Sequence, residues 1–293
     1  MNKFTRCLTG ICLGVTFVCM VAAQEQSQGN MSIPKVLQIT REYTKPGKAG
    51  LIHEQKESVF VQAMARAKWP TYYLGMTSLS GKQRALFLTQ YASFEAWEKD
   101  SAAVAKNGAL SAALDRAGMA DGELLDSTDQ GVFIFREEMS LRPRSDLSPM
   151  RFMEVSVFHV RPGHDKEWSE LVKIVNAAYG KGVPEAHWGC FQEIYGGEGG
   201  TYIFFTGRKS LAEIDRGAQE DKQFAAAMGE DGMKKLDELF AAAVESSQQQ
   251  LFQIDARMSY VAPEWIKADP EFWKPKAVSA VGTANAEDKK ANP

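Results

Sequence analysis

Apolar and polar residues alternate along several short stretches of the chain, and longer stretches with helical spacing lie between them. The alternation at 36–43 and 152–160 is typical of strands with one buried face, and residues 48–68 and 165–179 have the spacing of amphipathic helices. After each helix come two strand-like runs, a second helix and a closing strand, which we place at 131–141 and 250–260. The pattern therefore predicts the order β-α-β-β-α-β, twice.

The two copies share sequence landmarks. Pro46-Gly47 and Pro162-Gly163 follow the first strand of each copy, 116 positions apart, and Phe87 corresponds to Phe204. A repeat of this length is a domain and not a solenoid unit. We predict an α+β chain made of two tandem ferredoxin-like domains. The boundaries are a polar lead-in at 24–35, domains at 36–142 and 151–262, a linker at 143–150 and a C-terminal extension at 263–293 with a disordered tail.

A ferredoxin-like unit covers one face of its sheet with helices, so the two antiparallel sheets are expected to pack together as an intramolecular α/β barrel. We expect the apolar strand face, with Leu37, Ile39, Met153, Val155 and Val157, to meet the helices. The polar face would then lie between the sheets. Its charged members are Glu42, Arg136, Glu138, Glu154, Asp255 and Arg257.

Charges between two sheets must be paired or solvated, because an unpaired buried charge costs several kcal/mol. Two interpretations follow for this polar set. It forms salt bridges between the domains, or it lines a pocket for a small-molecule ligand.

The four histidines are weighed separately as candidates. His53 is expected on the surface of the first helix without metal ligands beside it, His159 in the core, and His164 exposed at a helix start. His187 is the candidate acid or base, because it is expected beside aromatic residues at a barrel mouth. The sequence contains no HxH, HExxH, CxxC or CxxCH pattern, so no metal and no cofactor are expected.

The first residues resemble an export signal. Lys3 and Arg6 precede an apolar run at 8–21, and small residues precede Gln24. We predict a signal peptide at 1–23 and a periplasmic or secreted mature chain, with a retained membrane anchor as the alternative. Cleavage would leave Cys190 as the single cysteine, so no internal disulfide is expected.

The bulk properties exclude few partners. The chain has 293 residues and a net charge of −3, which argues against a nucleic-acid footprint. We therefore expect a small-molecule partner, no nucleic acid, no membrane association after signal cleavage, and a monomer or homodimer.

The strand, Pro-Gly turn and amphipathic helix at 40–48 and 157–168, together with the Ser-Phe-Glu-Ala-Trp helix start at 93–97, resemble the dimeric α/β-barrel superfamily. The NIPSNAP-like and antibiotic-biosynthesis-monooxygenase-like branches are the most similar. The resemblance covers most of residues 36–261. It implies the fold but no catalytic residue, since the Pro-Gly turn carries none.

That superfamily includes cofactor-free oxygenases, haem-degrading enzymes, haem peroxidases and isomerases. We expect an exported protein whose activity the sequence does not fix and which binds a small molecule between its sheets. The alternatives are a cofactor-independent monooxygenase-type enzyme acting on an aromatic substrate, and a haem-binding variant.

Overall fold

Eight antiparallel strands close into a barrel in the computed structural model, which describes residues 33–274. The fold is α+β. The strands are β1 Val36–Thr44, β2 Tyr73–Ser78, β3 Arg84–Tyr91, β4 Leu125–Phe135, β5 Phe152–Val160, β6 Gly189–Tyr195, β7 Thr201–Arg208 and β8 Val244–Ile254. Their order around the barrel is β1-β3-β2-β8-β5-β7-β6-β4. The predicted signal peptide and the disordered tail lie outside the described residues.

Seven α-helices surround or close the barrel within the described range. They are α1 Leu51–Ala67, α2 Phe94–Lys106, α3 Gly108–Gly122, α4 Asp165–Gly182, α5 Gly217–Ala243, α6 Pro263–Ala268 and α7 Pro270–Trp273. Ser93 caps α2 by accepting a hydrogen bond from the backbone N–H of Ala96. Gly229, at φ 71°, interrupts α5 with a kink. None of the described helices is both long enough and apolar enough to cross a membrane.

The predicted element order is present in both halves. Strands β1 to β4 with α1 to α3 form the first half, and β5 to β8 with α4 and α5 form the second. The two halves meet at two seams, where β2 pairs with β8 and β4 pairs with β6. Each sheet therefore loses its free edges by pairing with the other.

The predicted direction of the strand faces is wrong. Leu37, Ile39, Met153 and Val155 do not face helices α1 to α5 but pack together inside the barrel, in one core cluster that also contains Phe133. An eight-stranded barrel is just wide enough for side chains to fill, so its interior is the main core. The opposite strand face, which we expected between the sheets, therefore faces outward, toward the helices.

The closing strands also begin and end earlier than predicted. β4 ends at Phe135 and β8 at Ile254. Residues 126–130 and 245–249 of these strands are exposed and polar, and their sequence lacks the alternation that marks a half-buried strand. Pairing with β1 and β5, which the sequence pattern does not reveal, holds them in the sheet.

The C-terminal helices close one end of the barrel. Trp265 and Trp273 are buried and belong to the same core cluster as Leu37. The Trp273 indole N–H donates to the Ser148 carbonyl at 3.0 Å. The aromatic residues of the extension therefore pack against the barrel.

Candidate functional site

The polar set predicted between the sheets is not brought together. On β1, Glu42 faces helix α1, where its Oε2 lies 3.2 Å from His53 Nε2. On β5, Glu154 pairs with Arg208 of the neighbouring strand at 3.2 Å. Both residues therefore lie on the outer face of the barrel.

The other members of that set lie beyond the ends of the strands. The Arg136 Nε atom is 2.8 Å from Glu138 Oε1, on a partly exposed surface. The Arg257 guanidinium binds Glu54 of α1 at 2.7 Å. Asp255 Oδ1 accepts hydrogen bonds from the backbone of its own turn, at Arg257 N and Met258 N. The Arg257–Glu54 pair joins the two halves, as the salt-bridge interpretation predicted, and the other contacts are local. None of these residues lines a common pocket.

His187 is buried just before β6. Its Nδ1 lies 2.8 Å from the Glu185 carbonyl and its Nε2 lies 3.1 Å from the Gly207 carbonyl. Both ring nitrogens are thus directed at backbone acceptors, which leaves neither free for a ligand. The adjoining cavity holds about 60 Å³ and lies at the barrel end beside Leu37.

A larger cavity occupies the opposite end of the barrel interior. It has a volume of about 330 Å³, within the range of small-ligand sites. Core residues form its floor: Ile39, Leu86, Val155, Ile203 and Phe205. Exposed residues form its rim, among them Asp129, Gly197, Glu198 and Gln248. The cavity therefore has an apolar base and a polar mouth that reaches solvent.

Two arginines lie in this cavity. Arg84 is 8% exposed and donates to the Gln250 side-chain carbonyl and to the Lys82 carbonyl at 2.8 Å. No carboxylate of the described residues lies within ion-pair distance of its guanidinium. Arg41, by contrast, pairs with Asp129 at 2.7 Å. Arg84 thus has no ion-pair partner among the described residues, although the charge of Asp129 opposes the lowering of its pKa by burial.

Glu193 shares the cavity and is enclosed by glycines. A Cβ atom at Gly131 would lie 2.4 Å from its Oε1, and one at Gly197 would lie 2.5 Å from its Oε2, so both positions require glycine while Glu193 stays in place. Its Oε1 is buried and accepts no hydrogen bond from the described residues. Burial raises the pKa of the Glu193 carboxyl, while the charge of Arg41 opposes that shift.

His159 is the third chemical group of the cavity. Its Nδ1 lies 3.1 Å from Thr201 Oγ1, and that hydroxyl donates to the Glu198 carbonyl at 2.8 Å. The threonine hydroxyl has a single hydrogen, so His159 Nδ1 must be the donor. The neutral imidazole then carries a lone pair on Nε2, which can accept a proton.

The cavity combines groups that sequence reasoning did not select. Arg41, Arg84 and Glu193 interrupt the apolar face of their strands, two residues from Ile39, Leu86 and Phe191 respectively. That interruption is a detectable signal, because a charged residue on a core face must have a partner or a function. Together the groups can hold an anion, accept a proton and donate one.

A second cavity, of about 470 Å³, lies outside the barrel between the second half's sheet and its helices. Its walls are largely aromatic: Phe158, Trp168, Tyr179, Trp188, Phe204 and Phe240. The Asp237 carboxyl is the one acid in this lining. An aromatic wall of this kind suits a flat apolar molecule.

The corresponding place in the first half holds a buried polar cluster. Glu42, His53, Glu57 and Asp121 meet there, so His53 is not the surface residue that we expected. Glu57 lies one helical turn from His53. Burial, followed by the charges of Glu42 and Asp121, raises the pKa of Glu57 to about 10. Burial also raises the pKa of Asp121, to about 6.

Comparison with solved structures shows the dimeric α+β barrel fold. The chain is similar to a protein named as a candidate monooxygenase from Fusobacterium nucleatum, with 12% identity, a TM-score of 0.50, and coverage of 76% of this chain and 93% of that one. An anthrone oxidase-like protein matches at 16% identity and a TM-score of 0.49, over 75% of this chain and 91% of its own. A mutant chlorite dismutase of Candidatus Nitrospira defluvii matches at 9% identity and a TM-score of 0.46, over 81% of this chain and 97% of its own.

No protein-family model matches the sequence, and no curated protein matches it significantly. The shared property is therefore the fold, and the chemistry must be argued from this chain's own residues.

The haem-binding alternative stays a prediction, and the two cavities offer few ligands for it. Haem iron is held by histidine, cysteine, methionine or tyrosine side chains. The aromatic cavity is lined by no histidine, cysteine or methionine, and its Tyr179 ring stacks on Phe224 at 4.5 Å. The barrel cavity offers His159, but its volume of about 330 Å³ is too small for a porphyrin.

Proposed function

We propose that this protein is an enzyme that binds a small organic anion in the barrel cavity and transfers a proton on it. The observation that carries the proposal is Arg84, a buried guanidinium that lines the cavity and forms no ion pair with the carboxylates of the described residues. A buried charge of this kind is costly unless it is compensated, and a bound anion would compensate it.

Each polar group then has a role. Arg84 binds the carboxylate or phenolate of the substrate, with Arg41 beside it. His159 Nε2 accepts the proton, because Thr201 keeps the proton of the neutral ring on Nδ1. Glu193 donates a proton to the developing oxyanion, since its raised pKa favours the neutral acid. The apolar floor excludes water from the reacting atoms.

Binding of salicylate, a small aromatic anion, tests the proposal by calorimetry. Arg84→Gln should weaken binding at least about ten-fold, because a charge-assisted hydrogen bond contributes roughly 1.5–3 kcal/mol. Arg116→Gln is the matched control, since Arg116 is exposed on α3 and should leave affinity unchanged. Equal affinities in the wild type and the Arg84→Gln variant would refute the proposal.

A second candidate function uses the aromatic cavity of the second half. We propose as the alternative a monooxygenase-type reaction on a flat aromatic substrate, supported by the aromatic lining and by the activity named for some proteins of similar fold. Oxygen uptake with a quinol-type substrate tests it. Uptake that falls in an Asp237→Asn variant would support this site, and no uptake above the rate without protein would exclude it.

Export, the two-domain division and the NIPSNAP-like branch remain proposals. We infer a mature chain that begins near Gln24, in the periplasm or outside the cell, with two duplicated domains at 36–142 and 151–262. The repeated element order supports the duplication. N-terminal sequencing of the exported protein tests the cleavage site, and a membrane-bound chain that retains Met1 would contradict it.

A further inference from the structure

We propose that Glu42, His53, Glu57 and Asp121 form a binding site for a first-row divalent metal ion. The four side chains come from three elements: β1 contributes Glu42, α1 contributes His53 and Glu57, and α3 contributes Asp121. One ligand atom from each lies within 4.8 Å of all the others. A strand and two helices thus direct one nitrogen and three carboxylates at a common point.

The cluster also contains an oxygen that needs a partner. Glu57 is 4% exposed, and its Oε1 is buried and accepts no hydrogen bond from any described residue. The Tyr73 hydroxyl, which interacts electrostatically with Glu57, is likewise buried without a partner. Buried polar atoms almost always have a partner, and a cation bound between Glu57 and Asp121, whose Oδ1 is also without a hydrogen bond, would supply one to both.

The charge balance leads to the same conclusion. His53 Nε2 lies 3.2 Å from Glu42 Oε2 and 3.4 Å from Asp121 Oδ1, so one imidazole serves two carboxylates. No lysine or arginine of the described residues forms an ion pair with Glu42, Glu57 or Asp121. One imidazole cannot balance all three carboxylates in their ionised form, whereas a divalent cation would.

The donor set selects the class of metal. Carboxylates suit manganese and magnesium, while imidazole suits zinc and iron, so a mixed set favours Mn²⁺, Fe²⁺ or Zn²⁺. Ligand bonds of about 2.1 Å place ligand atoms at most about 4.2 Å apart across the ion. A spread of up to 4.8 Å thus needs a contraction of several tenths of an ångström.

The position of the site indicates a structural role. Buried sites with a full set of protein ligands are typical of structural metals, which add their binding free energy to folding. In the second half, an apolar contact occupies the equivalent place between first strand and first helix, with the Phe158 and Trp168 rings 5.3 Å apart. The metal would hold β1 against its helices in the first half, as that aromatic contact does in the second.

The test is metal uptake by the full chain. Protein is unfolded with chelator, refolded with Mn²⁺, Zn²⁺ or Co²⁺, desalted and analysed for metal. We expect roughly one ion per chain and a higher melting temperature than in protein refolded with chelator. With Co²⁺, absorption bands in the visible region should report the ligand field.

Glu57→Gln should weaken metal affinity at least about 100-fold, since even outer-shell changes cost 10- to 100-fold. Glu54→Gln is the control on the same helix, because Glu54 binds Arg257 and not the cluster. If circular dichroism shows that Glu57→Gln does not fold, Asp121→Asn replaces it as the ligand variant. A wild type that takes up no ion, or equal uptake by the ligand and control variants, would overturn the proposal.

Discussion

At the residue scale, the state of Glu193 depends on the groups that face it. Arg41 of β1 favours its ionised form, while burial and Asp129 of β4 favour the neutral form. The cavity is therefore most positive while Glu193 is protonated.

This predicts the pH dependence of anion binding. The pKa of Glu193 is raised, so the carboxyl ionises above the usual range for glutamate. Salicylate should bind most tightly below that pKa and lose affinity, by up to about ten-fold, as the pH rises through it. Glu193→Gln should remove this loss and leave only the pH dependence that His159 contributes. An unchanged pH profile in the variant would remove Glu193 from the site.

Asp255 gives a prediction for stability. Burial and then the charge of Glu54 raise its pKa from 3.8 to about 6. Because the folded state binds this proton more tightly than the unfolded state, protonation of Asp255 adds to the free energy of unfolding. The contribution is complete below about pH 3.8 and is lost as the pH rises through about 6. Asp255→Asn keeps the Oδ1 that accepts from Arg257 N.

The wild type should therefore lose roughly 1–3 kcal/mol relative to Asp255→Asn between about pH 4 and pH 7, as measured by denaturant midpoints. Asp126→Asn, at an exposed position, should show no such difference. If the denaturant midpoints of the wild type and Asp255→Asn change in parallel with pH, the charge of Asp255 does not destabilise the folded protein.

At the element scale, β2 is docked against the turn that follows β8. Gly75 N donates to Ser259 Oγ at 2.9 Å, and Asp255 N donates to the Gly75 carbonyl at 3.0 Å. A Cβ atom at Gly75 would lie 2.4 Å from the Met258 carbonyl oxygen. The backbones of the two halves are thus in direct contact at this point.

Gly75→Ala should destabilise the protein by about 2 kcal/mol or more, because a backbone atom must move to admit the methyl group. Gly108→Ala is the matched substitution, since nothing lies within 4 Å of its Cβ position at the start of α3. It should be neutral or stabilise by up to about 1 kcal/mol. If chemical denaturation gives the same change in the free energy of unfolding for both variants, the structure around Gly75 accommodates a methyl group without strain.

The order of elements was predictable, because alternation and helical spacing are local properties of the chain. The sequence could not predict which side of the sheet the apolar strand face points to. The alternation at Leu37 and Ile39 is the same whether that face packs on helices or inside a barrel. The position of the site depends on which strand face points inward. His159 and Glu193 come together because β5 and β6 both pair with β7, and Arg84 joins them because the two halves meet at the seams. His53 and Glu57 were at helical spacing in the sequence, but their shared burial with Asp121 was not visible there.

At the scale of the whole molecule, the barrel interior is shared by both halves. Leu37 and Phe133 of the first half pack in one cluster with Met153 and Phe252 of the second. Residues 33–142 alone would expose this apolar face together with two sheet edges. We expect no folded monomer from that fragment on size-exclusion chromatography and NMR, but a dimer or aggregate. A monodisperse monomer with dispersed spectra would show that the half folds independently.

The most direct test of the central claim is the position of a bound anion. A crystal structure of the protein with 5-bromosalicylate, located by the anomalous signal of bromine, provides it. We predict the carboxylate within hydrogen-bond distance of Arg84, with the ring between Glu193 and His159. Bromine in the aromatic cavity of the second half, or no bound ligand at concentrations that saturate binding in solution, would contradict the assignment of the barrel cavity as the functional site.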